Sequence, residues 1–149
     1  MSIITNAYRQ AVDILKANPD EYRLPEWLLE EPYKVSHREY CSGFYFPEQP
    51  PTQYYNSAGY VRDWDIAASV EGWEEGYLLC TERGRFFPGE ELELLRPGQL
   101  PEKRVVEEIL DEEGNRVDAA RHPMRLYRIP WPSPAPKGSI LRKKSTDAE

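Results

Sequence analysis

The sequence predicts a mainly β fold, a small closed β-barrel preceded by one or two N-terminal helices. Fourteen prolines in 149 residues disfavour long helices and favour turns and strand edges. From Gly59 onward, short apolar segments recur between turn residues, which is typical of a barrel rather than of a parallel sheet. Helical periodicity is confined to the first part of the chain. The expected order is therefore helices first and strands afterwards.

The helical part begins with residues 3–18, where apolar residues recur at three- and four-residue spacing. The apolar face comprises Ile4, Ala7, Tyr8, Ala11, Val12 and Leu15. This helix is expected to end at Asn18-Pro19, because the residue before a proline is pushed out of the helical region. A second short helix is predicted from Pro25, a favourable first helical position, to just before Pro32.

The strands are predicted from apolar alternation and from the turn residues between them. They are residues 60–70, 76–82, 90–95, 105–110, 116–119, 124–129 and 139–142. Turns are expected at Pro88-Gly89 and at residues 113–115. Leu92 and Leu94 alternate with glutamates, which places both leucines on one face of their strand.

Three parts make up the expected domain organisation. Residues 1–32 form a helical lead-in, residues 33–142 form the barrel and residues 143–149 form a disordered tail. The barrel opens with an irregular, aromatic-rich connection over residues 33–59, too long for a plain loop. Its rings are Tyr33, Tyr40, Phe44, Tyr45, Phe46, Tyr54 and Tyr55. The proline-rich residues 131–136 are expected to be an extended connector.

Charge is unevenly distributed along the chain. Residues 1–120 hold 12 basic and 24 acidic residues, whereas residues 121–144 hold seven basic residues and no acidic one. The net charge of −7 therefore hides a basic C-terminal stretch that indicates an anionic partner. Two cysteines, no signal-peptide pattern and no apolar run near the ~20 residues of a membrane span favour the reducing cytoplasm.

Four motifs occur in a distinctive order. They are Val35-Ser36-His37-Arg38-Glu39-Tyr40 running into residues 43–46, Gly59-Tyr60-Val61-Arg62-Asp63, Arg83-Gly84-Arg85-Phe86 followed by residues 89–94, and Arg121-His122-Pro123. In this order they resemble the C-terminal domain of the peptidase U32 family. The residues that carry the resemblance as a structural motif are His37, Arg38, Tyr40, Gly43, Tyr45, Arg62 and Asp63.

The resemblance implies a longer parent protein with a barrel-type catalytic domain ahead of this region. Some family members are known as collagenases or peptidases, and others are similar to enzymes that hydroxylate tRNA or ribosomal RNA with an iron–sulfur cluster. The family's cluster cysteines lie in the catalytic domain, and none corresponds to Cys41 or Cys80, so no cofactor is expected in this fragment. The family's C-terminal domain itself resembles the β-barrel of translation elongation factors.

No complete catalytic site is expected in this fragment, so it is not expected to be an enzyme by itself. A metal site would need His37, Cys41, Cys80 and His122 together, but the paired spacings typical of zinc sites are absent. A nucleophile pair of Cys41 with His37, oriented by Glu39, lacks a flanking signature. Cys80 is expected to face the core. The many paired glutamates are expected to form a solvated surface.

A nucleic-acid surface is the remaining possibility, because phosphates require exposed cations and unpaired bases require rings to stack on. The proposed contact residues are Arg83, Arg85, Arg121, Arg125, Tyr127, Arg128, Trp131 and Arg142, with Lys137, Lys143 and Lys144 nearby in sequence. The alternative is that these cations only balance the acidic remainder of the chain.

The preferred functional hypothesis is an accessory barrel that docks on the N-terminal catalytic domain and positions a macromolecular substrate, an RNA such as tRNA. One alternative is a protein- or peptide-recognition module for collagen-like substrates, with a groove formed by the aromatic and proline-rich residues 44–55. Another is a purely structural or oligomerisation domain.

Overall fold

A computed structural model describes residues 2–41, 43, 45–46 and 59–145. The chain begins with helix α1 (Ser2–Ala17), helix α2 (Glu26–Glu30) and a 3-10 helix (Glu31–Lys34). Both predicted helices are confirmed. Pro25 lies just outside α2 as its N-cap residue, with φ −59° and ψ 144°. The aromatic residues Phe44, Tyr54 and Tyr55 lie outside the described residues.

Eight strands follow and pair in one antiparallel sheet that curls into a half-barrel. They are β1 (Trp64–Glu74), β2 (Tyr77–Glu82), β3 (Glu91–Leu95), β4 (Glu102–Val105), β5 (Ile109–Leu110), β6 (Arg116–Val117), β7 (Leu126–Pro130) and β8 (Ile140–Lys144). Their order is β4-β3-β8-β1-β2-β7-β5-β6. Within the described residues no ladder joins β4 to β6. The mainly β fold is confirmed, whereas closure of the barrel is not.

The predicted strand over residues 105–110 is divided in two. Val106 is 2 % exposed and continues the β3–β4 register by one residue, through bonds to the segment before β3. Its N–H donates to Glu90 O at 2.9 Å, and its carbonyl accepts from Gly89 N at 2.7 Å. The regular strand β4 ends at Val105, and the next strand begins only at Ile109.

The first two residues of the predicted tail belong to a strand instead. Lys143 and Lys144 belong to β8, where they pair with Asp65 and Trp64 of β1. Ser145 N extends this contact by donating to Asp63 O at 2.8 Å. The pairing partner is about 80 residues away in sequence, so local composition carried no signal for it.

The core lies between the curled strands and is almost entirely apolar. Its largest fully buried apolar residues are Trp131, Phe86, Leu78, Leu92, Leu94, Ile109, Ile129, Leu141, Val70 and Val106. Cys80 is fully buried among them, which confirms the expectation that it faces the core. Helix α1 buries Ile3 and Ala7. Among the described residues, no helix has the length and apolarity that crossing a membrane requires.

Candidate nucleic-acid interface

The turn Arg83-Gly84-Arg85 follows β2 and presents two exposed arginines. The N–H groups of Arg83 and Gly84 both donate to Ala67 O, at 2.9 and 3.1 Å. A Cβ atom at position 84 would lie 2.7 Å from Ile66 O. Only glycine therefore allows this turn to lie against β1, because any side chain would collide with backbone.

The segment around Arg121 and Arg125 lies directly beside this turn. Phe86 and Ala120 exchange backbone hydrogen bonds of 3.2 and 2.9 Å. Glu82 N donates to Arg125 O at 3.1 Å, so residues 82–86 and residues 120–125 are bonded to each other at both ends. Four of the predicted contact residues, Arg83, Arg85, Arg121 and Arg125, are thereby brought to one region of the surface.

These arginines differ in how far they are already neutralised. Arg121 pairs with the exposed Asp118 at 2.6 Å. Arg83 Nε donates to Ser69 Oγ at 3.3 Å, which orients the guanidinium without neutralising it. Arg85 and Arg125 are exposed, and neither forms an ion pair with a carboxylate in the described part of the chain, although Arg85 acts on the buried Glu82 through space. Their charge is available to a ligand.

A polar cavity of about 390 Å³ adjoins the other side of the turn. Arg62, Arg83, Arg85 and Lys143 line it together with two carboxylates. Arg62 pairs with Asp65 at 2.8 Å and Lys143 pairs with Glu90 at 2.8 Å, so the cations remain in excess. We define the basic surface by its residues: Arg62, Arg83, Arg85, Arg121, Arg125 and Lys143. Lys143 was among the cations considered from the sequence, whereas Arg62 was expected only as part of the structural motif.

Glu82 ends β2 beneath the basic surface and is 4 % exposed. Its Oε2 atom is buried and has no hydrogen-bond partner. Burial raises the pKa of the Glu82 carboxyl above its usual value, although Arg85 and His122 act in the opposite direction. A carboxyl with a raised pKa binds its proton more tightly in the folded state, so it removes stability as the pH rises above the unfolded pKa.

The substitution Glu82→Gln is therefore expected to stabilise the chain at neutral pH by about 1 kcal/mol, which corresponds to a few degrees in Tm. The gain should shrink toward pH ~4, where the unfolded carboxyl is protonated as well. Thermal unfolding at both pH values measures it, with the exposed Glu113→Gln as the control. A gain of equal size at both pH values would contradict the assignment.

Three of the predicted contact residues are not on the surface at all. Tyr127 is 3 % exposed, Trp131 is 1 % exposed and Arg142 is 1 % exposed. Tyr127 and Ile129 alternate inward along β7, and Trp131 continues into the core. Their proposed role in stacking on bases or contacting phosphate is therefore wrong for this fold. Arg128 points to the other face of β7, where it lines a cavity with Glu74 and Glu75, away from the basic surface.

Arg142 instead forms a buried ion-pair network with the helical lead-in. Its Nη2 atom donates to Glu31 at 2.7 Å, and its Nε atom donates to Glu93 at 2.6 Å. Lys34 Nζ lies 3.1 Å from Glu31 and 3.6 Å from Glu93. Burial works to raise the pKa of Glu31, but Arg142 and Lys34 outweigh it and hold that pKa below its usual value. Both cations lie 5.2 Å from the Trp64 ring centroid.

The structural motif joins two distant segments. His37 and Val61 exchange backbone hydrogen bonds of 3.1 and 2.8 Å. His37 Nδ1 lies 2.7 Å from Val35 O, and its ring stacks on Tyr40 with centroids 4.7 Å apart. Arg38 lies over the exposed Tyr60 ring at 5.1 Å. In the rest of the motif, Gly43 has a φ of 54°, Tyr45 is exposed, and Asp63 accepts a backbone bond near the start of β1.

The other chemistries considered from the sequence find no support in this geometry. Burial raises the pKa of the Cys80 thiol far above its usual value, which suits neither a nucleophile nor a ligand. Cys41 is exposed, while His37 is engaged by Val35 and Tyr40. Over the described residues, no three His, Cys, Asp or Glu side chains are grouped so as to hold a metal ion. The proposed peptide groove of residues 44–55 lies outside the described residues, apart from Tyr45 and Phe46.

Comparison with known proteins gives one family model, a curated relative and two solved structures. The sequence model of the peptidase family U32 C-terminal domain matches residues 62–142. The tRNA hydroxylation protein P1 of Bacillus subtilis (strain 168) is 26% identical over 148 residues, which cover 96% of this chain and 35% of that protein. The chain thus spans about a third of the length of this curated relative.

Two solved structures are also similar. Both are the C-terminal domain of a putative U32 peptidase from Geobacillus thermoleovorans, one as a selenomethionine variant. The variant is 33% identical, with a TM-score of 0.51, and covers 53% of this chain and 99% of its own. The other is 31% identical, with a TM-score of 0.50, and covers 54% of this chain and 92% of its own.

Proposed function

The chain belongs to the peptidase U32 family through its C-terminal domain, and on that premise we propose that it is an accessory module that positions a structured RNA for a catalytic domain. The observation that carries this proposal is the basic surface, where Arg85 and Arg125 are exposed without carboxylate partners on an otherwise acidic chain. Exposed, unpaired arginines are the groups that phosphates require.

Two further points support RNA over other anions. The curated relative is a tRNA hydroxylation protein, and the alignment with it covers nearly the whole of this chain. The backbone contacts on both sides of the Arg83-Gly84-Arg85 turn bring several arginines to one region of the surface, and several separate cations suit a polyanion better than a single small ion. The expected likeness to the barrel of translation elongation factors remains part of this proposal.

The chemistry belongs to another part of the parent protein in this proposal. Cys41 is exposed and Cys80 is buried in the core, so these two thiols do not fit the iron–sulfur cluster that the family resemblance implies. We therefore derive no reaction step from this chain.

Helix α1 is the proposed contact with the catalytic domain. Tyr8, Val12 and Leu15 lie at four- and three-residue spacing on the helix and are 67 %, 43 % and 42 % exposed. An exposed apolar stripe of this kind on a helix is typical of a protein contact. The stripe is held next to the barrel because Asn6 Oδ1 accepts a bond from Gly98 N at 2.9 Å.

The double substitution Arg85→Glu and Arg125→Glu tests the proposal. We expect the affinity of the 149-residue chain for tRNA at low salt to fall by about tenfold or more. The slope of log K against log salt should flatten by about 2, since each lost phosphate contact contributes nearly one. Fluorescence anisotropy with labelled tRNA at several salt concentrations measures both quantities.

A charge-matched control is Lys16→Glu with Lys103→Glu, which are exposed cations on α1 and β4. It changes the net charge equally and should leave most of the affinity intact. If both double variants bind tRNA as the unsubstituted chain does, or lose affinity equally, the basic surface is not a specific contact and the proposal fails.

A further inference from the structure

The two segments joined by the bridge between His37 and Val61 carry an exposed ring that is not part of the basic surface. The antiparallel bridge between His37 and Val61 holds Arg38 opposite Tyr60. The Tyr60 ring is 66 % exposed, and the Arg38 guanidinium lies 5.1 Å from its centroid. A large exposed ring next to a cation has no evident role in the packing of the domain.

Tyr60 lies two residues before Arg62, which belongs to the basic surface. In an extended segment, alternate side chains point to the same side, so Tyr60 and Arg62 share one side of the segment that precedes β1. Arg62 lines the polar cavity together with Arg83 and Arg85. The exposed ring therefore lies on the same side of the chain as one cation of the basic surface.

The segment that pairs with Tyr60 and Val61 is held in place by packing and hydrogen bonds of His37 and Tyr40. The His37 side chain is 9 % exposed, and its ring lies parallel to Tyr40, with an angle of 6° between the planes. Tyr40 Oη donates to Pro32 O at 2.9 Å, which ties the stack to the helical lead-in. Because two hydrogen bonds between His37 and Val61 hold the backbone beside Tyr60, ordering that backbone costs little when a ligand packs against the ring.

We propose that Tyr60 and Arg38 form a stacking site for an unpaired nucleobase of the RNA whose phosphates contact the basic surface. Aromatic rings and guanidinium planes are the groups on which splayed bases stack. Tyr60 and Arg62, two residues apart, offer a ring for a base and a cation for a nearby phosphate. This inference rests on the proposed function and adds a preference for single-stranded over duplex segments.

The test compares two RNA probes on the 149-residue chain. One is a uridine oligomer of about twelve nucleotides, within the range of known single-strand sites, and the other is an RNA duplex of the same length. We expect Tyr60→Leu to weaken binding of the oligomer by about five- to thirtyfold and to leave binding of the duplex unchanged. Tyr60→Phe should retain the affinity, and the exposed Tyr22→Leu is the matched control.

The possible outcomes separate this inference from the proposed function. If Arg85→Glu/Arg125→Glu weakens both probes while Tyr60→Leu weakens neither, the stacking site is overturned and the RNA-binding function stands. Equal losses for both probes with Tyr60→Leu would also overturn it, since stacking requires unpaired bases. If neither RNA probe binds and a proline-rich peptide binds at Tyr60 instead, both proposals fall.

Discussion

The substitution Arg142→Met is expected to destabilise the chain by about 3–5 kcal/mol, because it leaves two buried carboxylates without their main cation. Arg142 is 1 % exposed and bonds Glu31 and Glu93 at 2.7 and 2.6 Å. Lys34 remains nearby but cannot replace two directed hydrogen bonds. Urea denaturation at neutral pH measures the loss as a lower midpoint.

The matched control is Arg116→Met, which removes the same charge from a pair with Glu108 in which the arginine is 81 % exposed. Exposed pairs contribute about 0–1 kcal/mol, so this variant should unfold almost like the unsubstituted chain. Similar midpoints for the two variants would show that the network does not hold the lead-in to the sheet.

The effect of Arg142→Met should also depend on pH. The pKa of Glu31 is held below its usual value in the folded chain, so this group contributes stability above its unfolded pKa and loses it as the pH falls through the folded pKa. Without Arg142, burial acts on Glu31 with only Lys34 to oppose it, so acid should favour the folded variant. The difference in unfolding free energy between the unsubstituted chain and Arg142→Met is therefore expected to narrow as the solution is acidified.

Local sequence patterns were sufficient to predict helix α1 and the turns, because local interactions determine these elements. The periodicity of residues 3–18 and the proline at position 19 predicted α1 within one residue at each end. The turn glycines at positions 89 and 114 were also found, and both have positive φ, at 92° and 84°. Closure of the barrel was not predictable in this way, because it depends on how distant strands are staggered.

The basic C-terminal stretch shows why the candidate site was only partly predictable. As a linear run, residues 121–144 look like one cationic patch. The fold separates them, since Arg121 and Arg125 join the Arg83-Gly84-Arg85 turn while β8 passes between β3 and β1 and carries Arg142 into the interior. A cation within a β-strand pattern gives no local indication that one of its acidic partners, Glu31, lies on the helical lead-in 111 residues earlier in the chain.

The substitution Trp131→Ala is the second large effect that we expect. The indole is 1 % exposed within the core, and removal of a buried tryptophan costs about 3–5 kcal/mol. The backbone at this position is fixed as well, because Trp131 N donates to Gly76 O at 2.8 Å and its carbonyl accepts from Trp73 Nε1 at 2.7 Å. Chemical denaturation should show a large loss of stability.

A role in RNA contact makes the opposite prediction for Trp131, namely weaker binding with unchanged stability. The milder Trp131→Phe keeps an aromatic ring and should fold, so its affinity for tRNA can be measured below its unfolding transition. We expect that affinity to equal the affinity of the unsubstituted chain, because a side chain enclosed by the core cannot reach a ligand on the basic surface. A stable Trp131→Phe variant with weakened tRNA binding would mean that this part of the sheet opens to bind RNA.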